Sequence, residues 1–328
     1  MTCTKREYTL VSEFDGTKLS GLMVAAESPF AIVQLAHGMA EHKERYLPFM
    51  EYLAERGFAC FLHDHRGHGG SVKDAAQLGY FGANGAEGVV CDLHQSIQYA
   101  TARYPDLPVY LFGHSMGSLV VRCYLKNHEQ TINGLIVCGT PAKNPAAAPG
   151  VLLCRLIGAA KGEHHRSPLL QSMTTGPFDR PFASEGLKNS WLTRDKAVVN
   201  AYNADPLCGF TFTVNGYRAL LELMGGAYSP MQAKNPRLPV HFLSGADDPC
   251  HGGKGGFEKA VAAMKKNGWT QISHKLYPSM RHEVLNEQGR EQVYRDLYNT
   301  LMSWVKQRSN PSAPKQKSPP LRHVTKKK

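Results

Sequence analysis

Short apolar runs bounded by turn residues recur along the chain and alternate with stretches whose apolar positions fall three or four apart. AIVQLA (31–36), FACFLH (58–63), PVYLFG (108–113) and GLIVCG (134–139) have the length and the β-branched or aromatic content of buried strands. Residues 46–56, 87–104 and 115–127, lying between or after them, read as helices. Strands alternating with helices predict the α/β class, a mainly parallel sheet covered by helices. The start of the chain departs from this rhythm: REYTLVSEF and TKLSGLMVA flank Asp15-Gly16 and predict an antiparallel hairpin.

The rhythm stops after residue 140. Residues 141–235 open with the Pro- and Ala-rich PAKNPAAAPG, continue through helical pieces and contain no convincing core strand, as an inserted helical cap would. It resumes with PVHFLSG (239–245), a helix over 257–266, ISHKLYP (272–278) and a last helix over 287–306. The expected organisation is a core of residues 1–140 and 236–305, a cap or lid of 141–235 and a tail of 306–328. In the cap, VLLCRLIGAA places Val151, Leu152, Leu156, Ile157 and Ala160 along an apolar stripe. Such a stripe faces either the core or, as part of a lid, an acyl chain or a lipid surface. Trp191, Tyr202, Phe210, Phe212 and Tyr217 are aromatic candidates for lining a pocket beneath it.

Composition adds little to this picture, but the charge does. The net charge of +11 invites a nucleic-acid reading, yet residues 306–328 carry eight Lys or Arg and no acid, so only +3 falls on residues 1–305. No nucleic-acid partner is expected. The Pro- and Ser-containing basic tail is either simply solvated and disordered or a contact for anionic membrane, each basic residue near such a surface contributing about 1 kcal/mol. No apolar run approaches membrane-spanning length and the first residues lack a signal peptide's apolar core, so a cytoplasmic protein is expected, with peripheral contact at a membrane as the variant the tail allows. The cysteines sit singly with no C-x-x-C pair and predict reduced thiols; neither metal nor cofactor is expected.

Gly113-His114-Ser115-Met116-Gly117 matches G-x-S-x-G between an apolar strand and a helix, the setting in which a serine is lifted above a sheet as a nucleophile. The hydroxyl needs a base near pKa 6.5. His282, in LYPSMRHEVLNE after the last predicted strand, is better placed for this than the histidines of the early turns (His37, His42, His63, His65, His68) or of the cap (His164, His165). An acid should fall between serine and histidine in chain order, and Asp247 and Asp248 in SGADDP both qualify; spacing alone does not choose. The developing oxyanion needs two backbone donors. Met116 N–H supplies one, and the turn His37-Gly38-Met39-Ala40-Glu41-His42 after the early strand offers Met39 N–H as the other.

With HGMAEH, HDHRGHGGS, GHSMG, SGADDP and MRHEVLNE in place, the chain resembles the monoacylglycerol lipase and lysophospholipase group of α/β-hydrolases, the serine aminopeptidase S33 or Hydrolase_4 family, in a bacterial-type member. The resemblance runs in order over most of residues 7–305 and includes the cap segment WLTRDKAVVNAYNADPLCGF. It implies an α/β-hydrolase fold, Ser115 as nucleophile, His282 as base and the Asp of G-x-x-D, here Asp248, as the acid. Met39 departs from the small residue of the animal lipases, and the tail has no counterpart in the family pattern. A serine hydrolase cleaving monoacylglycerol- or lysophospholipid-like carboxylic esters is the reading this supports. A thioesterase, amidase or peptidase with the same triad and a silent binding protein on the same fold are the alternatives.

Overall fold

In the computed structural model, which describes residues 3–174 and 176–309, the predicted strands come together as one eight-stranded sheet. The strands are β1 (Cys3–Val11), β2 (Lys18–Ala26), β3 (Ala31–Ala36), β4 (Phe58–His63), β5 (Val109–His114), β6 (Gly134–Cys138), β7 (Val240–Gly245) and β8 (Ile272–Tyr277), in spatial order β1-β2-β4-β3-β5-β6-β7-β8. β1 pairs antiparallel with β2 from Val11↔Lys18 to Cys3↔Ala26, as the hairpin reading requires, and β2 runs antiparallel to β4. All the other pairings are parallel.

β3 to β7 are buried at every position, so they read as continuous apolar runs. The period-2 pleat still sorts their side chains. In β4, Phe58, Cys60 and Leu62 join one core cluster while Ala59 and Phe61 join the other. The first cluster lies under α1 (Leu47–Ala54) and the closing helix. The second is covered by α2 (Gly85–Arg103) and α3 (Met116–His128).

Between β6 and β7 the described residues form helices and no strand: α4 (Ala147–Lys161), α5 (Pro168–Thr174), α6 (Lys196–Ala204) and α7 (Val214–Ala227). α7 packs on α2 and α3 as well as on α4, and its Tyr217, Leu220 and Leu221 belong to the main core cluster. The expected stripe on α4 splits. Cys154 and Gly158 turn inward, Val151 and Ile157 are half-buried, and Leu152 and Leu156 are 59% and 61% exposed. The reason lies in the small residues of α4: at Gly150 a Cβ would come within 2.8 Å of Leu221, so this face approaches α7 closely and the bulky leucines fall outside it.

Past β7 come α8 (Gly253–Lys266), β8 and α9 (Arg290–Ser309). α9 carries Val293, Leu297, Leu301 and Trp304 into the core and runs on through residues 306–309, where the sequence pattern places the start of the tail. The rest of that expected tail, residues 310–328, lies outside the described residues.

The turns after β3 and β4 meet, because those strands are parallel neighbours. They bring together His37, His63, His65 and His68, all fully buried. His65 N–H donates to Nε2 of His37 at 2.9 Å, and the two rings lie 4.2 Å apart. Neither ring nitrogen of His63 or of His65 has a partner. Burial holds these imidazoles neutral, pushing His63 and His68 down to about 4.

A base whose pKa is depressed on folding stabilises the fold above its unfolded pKa near 6.5 and loses that contribution as pH falls toward 4, here by roughly 3 kcal/mol per ring at most. The unfolding free energy of His63→Leu should therefore gain roughly 2–3 kcal/mol relative to wild type between pH 7.5 and pH 4.5 in urea titrations. A difference that does not change with pH contradicts this account.

Candidate active site

Ser115 is the N-cap of α3 and holds φ 53° and ψ −118°, a region L-residues rarely occupy. The glycines on either side leave room for so sharp a turn. At Gly113 a Cβ would stand 2.5 Å from the Gly117 carbonyl oxygen, and at Gly117 one would stand 2.1 Å from that of Ala36. Ser115 N–H donates to Cys138 O at 2.9 Å, tying the elbow to β6.

The loop after β8 carries His282 to the same end of the sheet. Its Nδ1 meets Oδ2 of Asp248 at 2.9 Å, and its Nε2 is buried without a partner. Asp248 is buried. Its Oδ2 also accepts from the Ser244 hydroxyl and its Oδ1 from Cys250 N–H. Burial alone would raise the Asp248 carboxyl, but the neighbouring His282 and these donors hold it below the usual carboxylate value. Asp247 is exposed and meets the histidine loop only through its N–H, which donates to Met280 O. Of the two sequence candidates, the structure brings Asp248 to His282.

The turn after β3 packs directly on the serine: a Cβ at Gly38 would lie 3.1 Å from that of Ser115. Gly38 N–H donates to Oε1 of Glu41 at 2.6 Å and Ala40 N–H to Nε2 of His68 at 3.2 Å. The N–H of Met39 thus sits between two tied amides, while Met116 N–H opens the first turn of α3.

Sequence reasoning passed over the charges behind these groups. Glu41 accepts from Tyr46 OH at 2.8 Å and faces Nδ1 of His114 at 3.3 Å, and its second oxygen accepts from Arg45 at 2.7 Å. Arg45 also forks onto both oxygens of Glu283, the residue after His282, at 2.6 Å each. Burial works against charge on the His114 ring, but Glu41 outweighs it and raises the His114 pKa; Glu41 itself is pushed well down by His114 and Arg45 in spite of its burial. The visible signal was the i,i+4 spacing of Glu41 and Arg45 in HGMAEHKERY.

The cap reaches the site as well. His282 N–H donates to Trp191 O at 3.5 Å and Glu283 N–H to Leu192 O at 2.7 Å, and the Trp191 ring lies 4.7 Å from that of His282. Arg281 donates to Ser190 O, pairs with Glu185 and stacks on Phe182.

Ser115, His282, Met39 and Met116 all border one cavity of about 590 Å³. Four of the five expected aromatics, Trp191, Tyr202, Phe210 and Tyr217, line it, whereas Phe212 is buried beside it. Among the described residues, two sets of side chains have metal-ligand chemistry at short range: Asp248, Cys250 and His282 within the site, and His42, Asp205 and Cys208 outside it.

Chemically, the arrangement offers a hydroxyl on a raised turn, an imidazole bonded to a buried carboxylate, and Met39 and Met116 bordering the same cavity. Comparison with known proteins shows what the chain is similar to. The serine aminopeptidase, S33 (Hydrolase_4) family model matches residues 27–289. Human monoglyceride lipase is 26% identical over 292 residues, covering 86% of this chain and 84% of the lipase. A monoacylglycerol lipase of Mycolicibacterium smegmatis is 28% identical, covering 84% and 89%. The crystal structure of a thermostable carboxyl esterase from Bacillus coagulans in complex with glycerol superposes with a TM-score of 0.80 at 25% identity, over 92% of this chain and 99% of the esterase.

Arg45 holds two buried carboxylates, so Arg45→Met should cost about 3–5 kcal/mol of stability by urea midpoint. The triple change Arg45→Met, Glu41→Gln, Glu283→Gln should recover part of that loss, since it leaves no buried charge alone. An Arg45→Met loss below about 1 kcal/mol contradicts the pairing as a stabilising element.

Proposed function

The chain belongs to the serine aminopeptidase S33 family of α/β-hydrolases and is a carboxylic-ester hydrolase of lipase or esterase type; on that premise we propose that Ser115, His282 and Asp248 form its catalytic triad and that it cleaves monoacylglycerol- or lysophospholipid-like esters. The observation that carries the triad is the 2.9 Å contact of Asp248 with Nδ1 of His282, which leaves Nε2 buried and unpartnered on a ring bordering the same cavity as Ser115. In the proposed reaction Nε2 takes the Ser115 proton as Oγ attacks the acyl carbon. Met39 and Met116 N–H donate to the resulting oxyanion, which is worth several kcal/mol in total. The C–O bond then breaks, the alcohol departs with the proton from His282, and water repeats the sequence to release the acid. A glycerol-like alcohol is supported by the names of the relatives and by the glycerol with which the Bacillus coagulans esterase is complexed.

No helix among the described residues is long and apolar enough to cross a membrane. A peripheral approach to anionic lipid is supported by Leu152, Leu156, Leu169 and Met173, each more than half exposed on α4 and α5, and by Arg155 and Lys161 on an α4 that carries no acid. Flotation with anionic vesicles should fall in Leu152→Ser/Leu156→Ser, and unchanged flotation refutes the cap's part in binding. Deletion of 310–328 tests the tail in the same assay.

A fluorophosphonate should label the folded wild type and not Ser115→Ala. Asp248→Asn should lower kcat about 10⁴-fold by losing the productive tautomer, while Asp247→Asn leaves it nearly unchanged. Equal losses in both aspartate variants overturn the choice of acid. p-Nitrophenyl esters of graded chain length, run beside thioester and amide substrates, separate the ester reading from its thioesterase and amidase alternatives, and no labelling of folded wild type favours a silent binder.

A further inference from the structure

His42 lies one residue beyond the Glu41 that anchors the oxyanion turn, yet it takes no part in the reaction. Nδ1 meets Oε2 of Glu44 at 2.6 Å, and Nε2 meets Oδ2 of Asp205 at 2.8 Å. Sγ of Cys208 completes a set whose donor atoms all lie within 4.8 Å of one another. The histidine and cysteine are buried and the aspartate is partly open to solvent.

The segment presenting the last two donors is shaped for it. Asp205 closes α6, Pro206 follows, and Cys208 N–H returns to Asp205 O at 3.0 Å, which makes Asp205-Pro206-Leu207-Cys208 a tight turn. Oδ1 of Asp205 is engaged by Leu207 N–H at 2.8 Å, leaving Oδ2 for His42. Two ligating residues three apart on a tight turn repeat the geometry of a C-x-x-C zinc knuckle with one thiolate exchanged for a carboxylate. Glu44 supplies the remaining part, since a carboxylate on Nδ1 is what orients a zinc-binding imidazole to offer Nε2.

We infer that His42 Nε2, Asp205 Oδ2 and Cys208 Sγ form a binding site for Zn²⁺, with solvent water as the fourth ligand on the exposed side of Asp205. A tetrahedral ion with Zn–N and Zn–O near 2.0 Å and Zn–S near 2.3 Å needs donors about 3.2–3.7 Å apart, which small side-chain movements supply. The thiolate selects against Mg²⁺ and Ca²⁺. On binding, the Cys208 thiol proton and the proton shared by His42 and Asp205 leave to solvent. No finger-like spacing announces the site, because His42 and Asp205 lie 163 positions apart.

The site joins the oxyanion turn to the cap. Ala40 O, two residues before His42, accepts from Gly209 N–H and from Tyr202 OH, both at 2.9 Å, so an ion between His42 and the 205–208 turn fastens a contact already made by the backbone. The inference is independent of the proposed activity. The second metal-like set, Asp248, Cys250 and His282, has its carboxylate engaged by His282, Ser244 and Cys250 N–H, and an ion there would occupy the proposed triad.

The test is a Co²⁺ titration of the untagged full chain carrying Ser115→Ala, followed by displacement with Zn²⁺. One equivalent of Co²⁺ should give a thiolate-to-metal charge-transfer band that Zn²⁺ abolishes. The band should persist in Cys250→Ser and vanish in Cys208→Ser, and Asp205→Asn should weaken Co²⁺ binding at least tenfold. Zn²⁺ should raise the melting temperature of the parent and of Cys250→Ser but not of Cys208→Ser. Absence of any band, or a band that survives Cys208→Ser, overturns the site; a band lost only with Cys250→Ser assigns the ion to the triad instead. Circular dichroism on each variant separates loss of ligand from loss of fold.

Discussion

The backbone of Ser115 is the constraint to which the rest of the site is fitted. A non-glycine residue at φ 53° and ψ −118° carries strain of order 1–3 kcal/mol, and it persists only where its surroundings over-determine it. They do so here through close backbone approach. Gly113 and Gly117 admit neighbouring carbonyls at distances no Cβ would tolerate, and the Ser115 amide is bonded to β6. β5 lies mid-sheet between β3 and β6, so the elbow is flanked by the turn that follows β3 and the segment that follows β6. The turn that follows β3 therefore packs on the serine as a consequence of strand order.

A second layer of order comes from buried charge. Glu41 and Glu283 sit on turns that are remote in sequence, and one guanidinium serves both. Desolvating three such groups costs several kcal/mol per ion, which Coulomb attraction offsets only in good geometry, so the two turns are held in the one arrangement that keeps Arg45 forked. His114 extends the network beside Ser115. Its ring touches Glu41 on one side and lies 4.8 Å from the His282 ring on the other. Removing one partner strands the other charges in the interior, so the arrangement is costly to leave once formed.

How much of this the sequence discloses follows from the range of the interactions. β3 to β7 were legible because each is a short run buried on both faces, and the elbow because its sterics demand glycine at two fixed offsets. The choice between Asp247 and Asp248 was not legible from spacing, since consecutive residues differ only in direction, and direction is set by the bonds from Ser244 and Cys250. The Arg45–Glu283 pair spans 238 positions and left only its short-range half, Glu41–Arg45, as a sequence signal. On α4 the apolar stripe was real but its outward turn was not legible, because it depends on glycines that bring α7 close on the opposite face.

The cap is a less uniform body than an insertion with a lid's composition suggests. Residues 190–194 are bonded to the histidine loop through Trp191 O, Leu192 O and Ser190 O and through Arg194 N–H, which donates to Glu287. Moving that segment would break the hydrogen bonds of His282 and Glu283 N–H and expose the face of the imidazole that Trp191 covers, so opening the cavity there would disorder His282. α7 is equally fixed, since it is part of the main core. α5 is anchored more lightly: in this helix of seven residues only Leu170 is buried in that core, while Pro168, Gln171 and Met173 border the cavity and Leu169 and Met173 stand exposed. Displacing α5 would therefore uncover little core, on a side of the cavity where apolar side chains face outward, and would leave the hydrogen bonds between residues 190–194 and the His282 loop in place.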